Sequence, residues 1–159
     1  MAAILITGMS GTGKSTVLAA LHERGYATAD LDDGWCVPQD DGTQLWDERA
    51  VTRLLDAAAE AGDAPLFVAG CEANMGAFLP RFAHVILLTA PWSTLEERLI
   101  ARTTNPFGST EAEREKVRRD QQEVEPLLER VSGTVIDTRT PVAETVTAIL
   151  RECGLFGRA

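Results

Sequence analysis

The sequence predicts an α/β protein in which a parallel β-sheet is covered by helices on both faces. Two observations lead to this fold class. Short apolar segments alternate with amphipathic helical segments along the chain, and the apolar segments are hydrophobic at successive positions rather than at every second one. Such strands are typical of a sheet buried between two helical layers. With 159 residues, 45% of them hydrophobic and 25% charged, we expect one domain over residues 1–159.

The N-terminal half of the chain contains three of the predicted strands and two helices. Runs of β-forming apolar residues predict the strands, and apolar residues at helical spacing predict the helices. Gly25 ends the first helix. The segment 31–47 is expected to be irregular, because it is polar and is broken by glycines and a proline. The predicted elements are a strand over 2–7, a helix over 14–24, a weak strand over 26–30, a helix over 48–61 and a strand over 66–69.

The C-terminal half continues the alternation with two strands and three helices. Ser93 is expected to cap the first of these helices, with Glu96 at the capping-box position. The next helix is highly charged, and Pro141 is expected as the first residue of the last one. The predicted elements are a strand over 84–89, a helix over 93–102, a helix over 111–131, a strand over 134–137 and a helix over 141–153.

A glycine-rich segment between the first strand and the first helix carries the most specific signal. Residues 8–15, GMSGTGKS, match G-x-x-x-x-G-K-[ST] at every fixed position. Such glycines let backbone N–H groups turn toward a phosphate, and the following helix adds its positive end. Lys14 then reaches the β- and γ-phosphates, and the Ser15 hydroxyl can bind Mg²⁺. The expected phosphate-binding residues are Gly8, Met9, Ser10, Gly11, Thr12, Gly13, Lys14, Ser15 and Thr16.

Charge and composition exclude several classes of protein. The net charge of -9 argues against broad binding to nucleic acid. No apolar run reaches the ~20 residues of a membrane span, and the three scattered cysteines are typical of reduced thiols, so we expect a cytoplasmic protein.

The guanine-reading N-K-x-D segment of GTPases is missing, and no aspartate ends the strand over 66–69. Small kinases remain, acting as a monomer or a homodimer.

Four segments, in chain order, resemble one superfamily of such kinases. GYATADLD at 25–32 is similar to the Gly-x-x-x-x-Asp-x-Asp segment of shikimate kinases. LEER at 95–98 is similar to the helix whose arginine packs on adenine, 102–119 to an arginine-bearing lid, and IDTRTP at 136–141 to the loop bordering adenine. The chain thus resembles the shikimate kinase, gluconate kinase and nucleoside-monophosphate kinase superfamily. Segments 70–76 and 102–108 also resemble small bacterial AAA-type ATP-binding proteins of undefined substrate.

The resemblance implies a fold and a nucleotide site. The fold is a three-layer P-loop NTPase domain with a five-stranded parallel sheet in the order 2-3-1-4-5, helices on both faces and a helical lid over about 102–122. The implied ligands are ATP and Mg²⁺, with Asp30 holding the metal together with Ser15. Arg98 would pack on adenine, and Arg118 or Arg119 would be the catalytic lid arginine. Arg102 and Arg139 are further candidates for nucleotide contact.

The acceptor of the phosphoryl group is expected over residues 31–62. The resemblance gives Asp32 the role of binding or deprotonating a small-molecule acceptor, catalysis that a nearby carboxylate can supply. The other candidates, each with a plain structural alternative as a loop, capping, core or surface residue, are Asp33, Trp35, Arg49, Arg53, Gly70, Glu72 and Asn74. The acidity of residues 27–63 favours a neutral or singly anionic acceptor over a polyanion.

Two readings of the lid and two functions therefore stand side by side. The charged helix over 111–131 either carries a lid arginine onto the phosphate or is simply solvated. The first function is a Mg²⁺- and ATP-dependent small-molecule kinase, of which an antibiotic-modifying enzyme is a special case. The alternative is a regulatory ATPase or nucleotide sensor without a metabolite acceptor. The reduced glycine cluster after the strand over 66–69 and the missing lid motif make shikimate itself a poor candidate acceptor.

Overall fold

The structure is a computed structural model that describes residues 3–102 and 106–157. Within these ranges seven strands and six α-helices follow one another along the chain. In order, they are β1 (Ala3–Thr7), α1 (Lys14–Glu23), β2 (Ala27–Asp30), β3 (Cys36–Pro38), β4 (Gln44–Trp46), α2 (Glu48–Glu60), β5 (Leu66–Ala69), β6 (Phe82–Thr89), α3 (Trp92–Ala101), α4 (Glu111–Glu123), α5 (Glu125–Val131), β7 (Thr134–Asp137) and α6 (Val142–Glu152). A 3₁₀ helix, Met75–Arg81, precedes β6.

The main sheet has five parallel strands in the order β2-β5-β1-β6-β7. Counted among these strands alone, the order is 2-3-1-4-5, so the predicted α/β fold is confirmed. Every residue of the central strand β1 is buried. Ile4 and Ile6 face α1 and α6, while Leu5 faces α2 and the 3₁₀ helix. The strand is apolar from Ala3 to Ile6 because it lies between these two cores.

The segment expected to be irregular instead contains a β-hairpin. Strands β3 and β4 pair antiparallel, with Cys36 opposite Trp46 and Pro38 opposite Gln44. The strands are three residues each, too short for a period-2 pattern to be visible in the sequence. The hairpin places Trp46, only 2% exposed, in the core beside Phe78.

Three predicted helix boundaries also change. Helix α3 begins at Trp92 after Pro91, and no side chain among the described residues caps it, so the expected Ser93 cap is wrong. The predicted helix over 111–131 is two helices, with Val124 between α4 and α5. The capping box lies instead at the start of α4, where Thr110 and Glu113 bond reciprocally. Pro141 precedes α6 as its cap residue rather than opening it. No helix in the described ranges is both long and apolar enough to span a membrane.

Candidate nucleotide and acceptor site

The glycine-rich segment forms a loop between β1 and α1. A side chain at Gly8, where φ is +147°, would place its Cβ 2.4 Å from the Leu88 carbonyl oxygen, so only glycine lets the loop pass the end of β6. Lys14 Nζ donates to the carbonyl oxygens of Gly8 at 2.5 Å and Met9 at 3.2 Å. No side chain of the described residues caps α1 at Gly13. The first N–H groups of α1 are thus left to an outside acceptor, which suits a phosphate.

Ser15 and Asp30 meet beside this loop. Ser15 Oγ donates to Asp30 Oδ2 at 2.9 Å, and Asp30 ends β2, the edge strand next to β5. The backbone N–H of Asp32 donates to Asp30 Oδ1 at 3.1 Å. A hydroxyl and a carboxylate are hard oxygen donors of the kind that Mg²⁺ takes beside nucleotide phosphates. The residues present therefore fit the expected metal.

Asp32 lies just past β2 and is held by two neutral donors. Trp46 Nε1 donates to Oδ1 at 3.3 Å, and the Cys71 N–H lies 3.2 Å from both carboxylate oxygens. Burial raises the pKa of Asp32, while the charge of Lys14 and these two hydrogen bonds oppose the rise. A Cβ at Gly70 would lie 2.8 Å from Trp46 Cζ2 and 3.0 Å from Asp32 Oδ1. Gly70 is thus the residue that lets indole and carboxylate approach.

Glu72 faces Asp32 from the loop after β5. One oxygen of each carboxylate and the Cys36 sulfur all lie within 4.8 Å of one another. Gln44 Nε2 donates to Glu72 Oε1 at 3.0 Å, and burial raises the pKa of Glu72. Burial and the neighbouring carboxylates raise the pKa of Cys36 to about 11, so its thiol is protonated at neutral pH and donates to the Leu31 carbonyl at 3.3 Å.

Asn74 fixes the hairpin rather than facing open space. Its Oδ1 accepts from the Trp46 N–H at 3.1 Å, and its Nδ2 donates to the Trp46 carbonyl oxygen at 3.0 Å. These two bonds pair the side chain with one backbone unit of β4. Asn74 therefore acts on Asp32 through Trp46.

The remaining acceptor candidates lie further out. Asp33 is exposed, and Trp35 is half-buried against the core. Arg49 and Arg53 are exposed on α2, and within the described ranges neither bonds to Asp32 or Glu72. Arg49 lines a separate groove of about 370 Å³ together with Val37, Gln39, Leu45, Trp46, Asp47, Glu48 and Asn74.

The three arginines predicted for nucleotide contact differ in their surroundings. Arg98 joins the phosphate loop to the loop after β7: Nη1 donates to Gly11 O at 3.1 Å and Thr138 Oγ1 at 2.9 Å, and Nη2 to Thr138 O at 2.5 Å. Arg102 donates to the Phe107 carbonyl oxygen. Arg139 pairs with Asp137 at 2.7 Å on the surface.

The family described as AAA domain matches residues 4–136 of the sequence. The chain belongs to this family. No curated protein sequence matches it.

Solved structures share the fold of this AAA-domain protein. A shikimate kinase from Acinetobacter baumannii in complex with shikimate is 21% identical, with a TM-score of 0.67 over 100% of this chain and 96% of that one. A sugar kinase from a Janibacter species is 18% identical, with a TM-score of 0.68 over 98% and 96%. A shikimate kinase from Bacteroides thetaiotaomicron is 15% identical, with a TM-score of 0.64 over 97% and 99%. The predicted likeness to shikimate-kinase-like P-loop proteins is confirmed.

In this AAA-domain protein, helices α4 and α5 are attached to the end of β6. Gln121 Nε2 donates to the Ala90 carbonyl oxygen at 2.9 Å, and the Thr89 hydroxyl donates to Glu125. Arg118 and Arg119 are exposed on α4, and the Arg118 guanidinium lies 5.9 Å from the centre of the Trp92 ring. Thr103, Thr104 and Asn105, which belong to the segment resembling AAA-type proteins, lie outside the described residues.

Sequence reasoning missed the groups that surround the two carboxylates. Gln44, Cys36 and Trp46 carry no motif. Thr138, the partner of Arg98, is one of several threonines in its segment. All four matter through contacts between residues far apart in the chain, which spacing does not reveal. The only available signal was that Trp35 and Trp46 fall in a polar segment with little core to fill.

Proposed function

We propose that this protein is a kinase that uses ATP and Mg²⁺ to phosphorylate a hydroxyl of a small molecule. The observation that carries the proposal is the position of the Asp32 carboxylate. It lies where the charge of Lys14 reaches it, and two hydrogen bonds hold it on the same sheet edge as the Ser15–Asp30 pair. A shikimate kinase and a sugar kinase share this fold, which supports the reaction class.

Each group has a defined part in this reaction. The loop N–H groups and Lys14 bind the phosphates, and Ser15 and Asp30 hold Mg²⁺, which supplies positive charge to the phosphate oxygens. Asp32 accepts the proton of the acceptor hydroxyl. The hydroxyl oxygen forms a bond to the γ-phosphorus, the bond from that phosphorus to the β–γ bridging oxygen breaks, and ADP leaves. The proton passes from Asp32 to solvent.

Acceptor-dependent formation of ADP tests the proposal. Purified protein is given ATP and Mg²⁺ with a library of sugars, polyols, amino sugars, nucleosides, nucleoside monophosphates and hydroxy acids. We expect at least one class to raise the rate well above basal hydrolysis and to yield a phosphorylated product by mass spectrometry. A rate that stays basal with every class, combined with nucleotide-dependent binding to another protein, would instead support a regulatory ATPase or sensor.

A further inference from the structure

The two carboxylates of the proposed acceptor site form a close negative pair. Asp32 and Glu72 follow neighbouring strands, are both half-buried, and bring oxygens within 4.8 Å of each other. Alternate residues of β4 hold them with neutral donors, Trp46 Nε1 on Asp32 and Gln44 Nε2 on Glu72. Within residues 3–102 and 106–157, neither carboxylate forms an ion pair.

The charges of Lys14 and Lys116 reach this pair, but both lysines form their hydrogen bonds with other groups. Lys14 Nζ donates to two carbonyl oxygens of the phosphate loop, and Lys116 pairs with Asp120 at 2.8 Å. Arg49 and Arg53 point to the exposed surface of α2. Two anions that are close together and partly desolvated are unfavourable without a positive partner. A ligand that brings a positive charge between them is therefore favoured, and one that brings a carboxylate or phosphate there is not.

We propose that the acceptor is an amino alcohol, a small molecule with a protonated amine on a carbon next to the reacting hydroxyl. This inference rests on the proposed kinase function and names its substrate class. Asp32 takes the hydroxyl, and Glu72 takes the ammonium group through charge-assisted hydrogen bonds. The closeness of the two carboxylates requires the two donor groups to be close on the acceptor. The sequence alone favoured a neutral or singly anionic acceptor; the placement of Glu72 beside Asp32 changes the expected charge.

Matched acceptor pairs test this charge preference. At neutral pH the rate of ADP formation is measured with D-glucosamine against D-glucose and D-gluconate, and with 2-deoxystreptamine against myo-inositol. We expect kcat/KM to be about 10-fold to 100-fold higher for the amine of each pair, the usual strength of hydrogen bonds to charged groups. The variant Glu72→Gln is expected to remove this preference, because kcat/KM should fall about 10-fold to 100-fold more for the amine than for its neutral partner. Glu60→Gln, an exposed carboxylate at the end of α2, is expected to keep both.

The outcomes separate the inference from the function on which it rests. If neutral or acidic acceptors are phosphorylated and amines are not, the amino alcohol inference is wrong and the kinase proposal stands. If no acceptor of any charge is phosphorylated, both are wrong. A Zn²⁺ titration tests the alternative that Asp32, Cys36 and Glu72 bind a metal ion. If Zn²⁺ binds, Cys36→Ser abolishes the binding and amines are not preferred as acceptors, this group is a metal site and the inference is wrong.

Discussion

At the scale of single residues, the position of Asp32 is set by contacts rather than by its own segment. Its carboxylate accepts from an indole on the hairpin and from a backbone N–H after β5, so it has one orientation before any substrate arrives. Burial raises its pKa, which makes a carboxylate a stronger base once it is ionised. Geometry and basicity both suit a residue that receives a proton from an acceptor hydroxyl.

Replacing Asp32 separates nucleotide binding from transfer. Asp32→Asn keeps a side chain of the same shape but removes the basic oxygen. We expect the Kd for ATP to stay within a few-fold and acceptor-dependent turnover to fall by about 10² to 10⁴, the usual contribution of a general base. Rate and calorimetric binding measurements on the same preparation check this. Full turnover in the variant would mean that another group takes the proton.

Replacing Lys14 is expected to weaken nucleotide binding itself. Its ammonium group now bonds to loop carbonyl oxygens and is the mobile positive charge nearest the expected phosphates. Lys14→Ala should weaken ATP binding by at least about 10-fold, the value of one charge-assisted hydrogen bond, and weaken adenosine binding little. Calorimetry with ATP, ADP and adenosine is the measurement. Unchanged affinity for ATP would contradict the assignment of residues 8–16 as a phosphate site.

At the scale of elements, the β3–β4 hairpin is the part that shapes the proposed acceptor site. It is not in the main sheet, and its last residue, Trp46, both fills the core and donates to Asp32. Asn74 fixes that residue through two backbone hydrogen bonds. The hairpin is therefore a support for Asp32, built from packing and hydrogen bonding together.

Trp46→Phe tests that support. The smaller ring keeps apolar packing but removes the N–H donor, so we expect kcat to fall about 10-fold, equivalent to one hydrogen bond of about 1.4 kcal/mol to a charged group, with the Kd for ATP unchanged. The matched control is Phe78→Leu, which changes the packing beside Trp46 but leaves the indole N–H that donates to Asp32. That variant should lose stability but keep kcat. Equal losses of kcat in both would show a packing effect alone.

The capping residues of α3 and α4 give a second test at this scale. The Thr110 hydroxyl oxygen accepts from the Glu113 N–H at 3.2 Å, and the Glu113 carboxylate accepts from the Thr110 N–H. Among the described residues, by contrast, no side chain caps α3. Thr110→Ala should lower the free energy of unfolding by about 1 kcal/mol, and Ser93→Ala should change it by less than about 0.5 kcal/mol. Urea unfolding measures both. A larger loss for Ser93 would restore the cap expected from the sequence.

At the scale of the whole molecule, burial of the acceptor carboxylates links stability to pH. Because the pKa of Glu72 is raised by folding, the folded state binds more protons than the unfolded state above the ordinary glutamate value of about 4.3. Stability contributed by this group is therefore lost as pH rises through that window. Folding therefore disfavours the charged form of Glu72.

Glu72→Gln measures this cost directly. The amide keeps an oxygen that can accept from Gln44 but carries no charge, so we expect the variant to be as stable as the wild type near pH 4 and more stable toward neutral pH. Urea midpoints across this range are the readout. Glu60→Gln should follow the wild type at every pH. If the variant instead lost stability relative to the wild type as pH rose, the pKa of Glu72 would be lowered by folding and not raised.

The sequence predicted what local pattern and chain order control. The run over residues 3–7 is mainly apolar on both faces, which predicts a central strand of the sheet. Residues 8–15 match a motif whose fixed spacing defines a loop shape, so the phosphate loop could be predicted as well. The hairpin could not be predicted, because strands of three residues interrupted by Pro38 depend on contacts such as Asn74 with Trp46. The break between α4 and α5 is different, because Pro126 in the first turn of α5 marks it in the sequence and the prediction of one helix over 111–131 passed over that signal.

The alternate residues of β4 that hold the two carboxylates have a consequence for divergence. Gln44 and Trp46 come from a strand of three residues that pairs only with β3, so changes there leave the register of the five-stranded sheet untouched. A few substitutions in this hairpin can re-aim or release one carboxylate while the phosphate loop keeps its shape. Acceptor choice can therefore evolve, or be engineered, as a nearly separate module beside a constant nucleotide site.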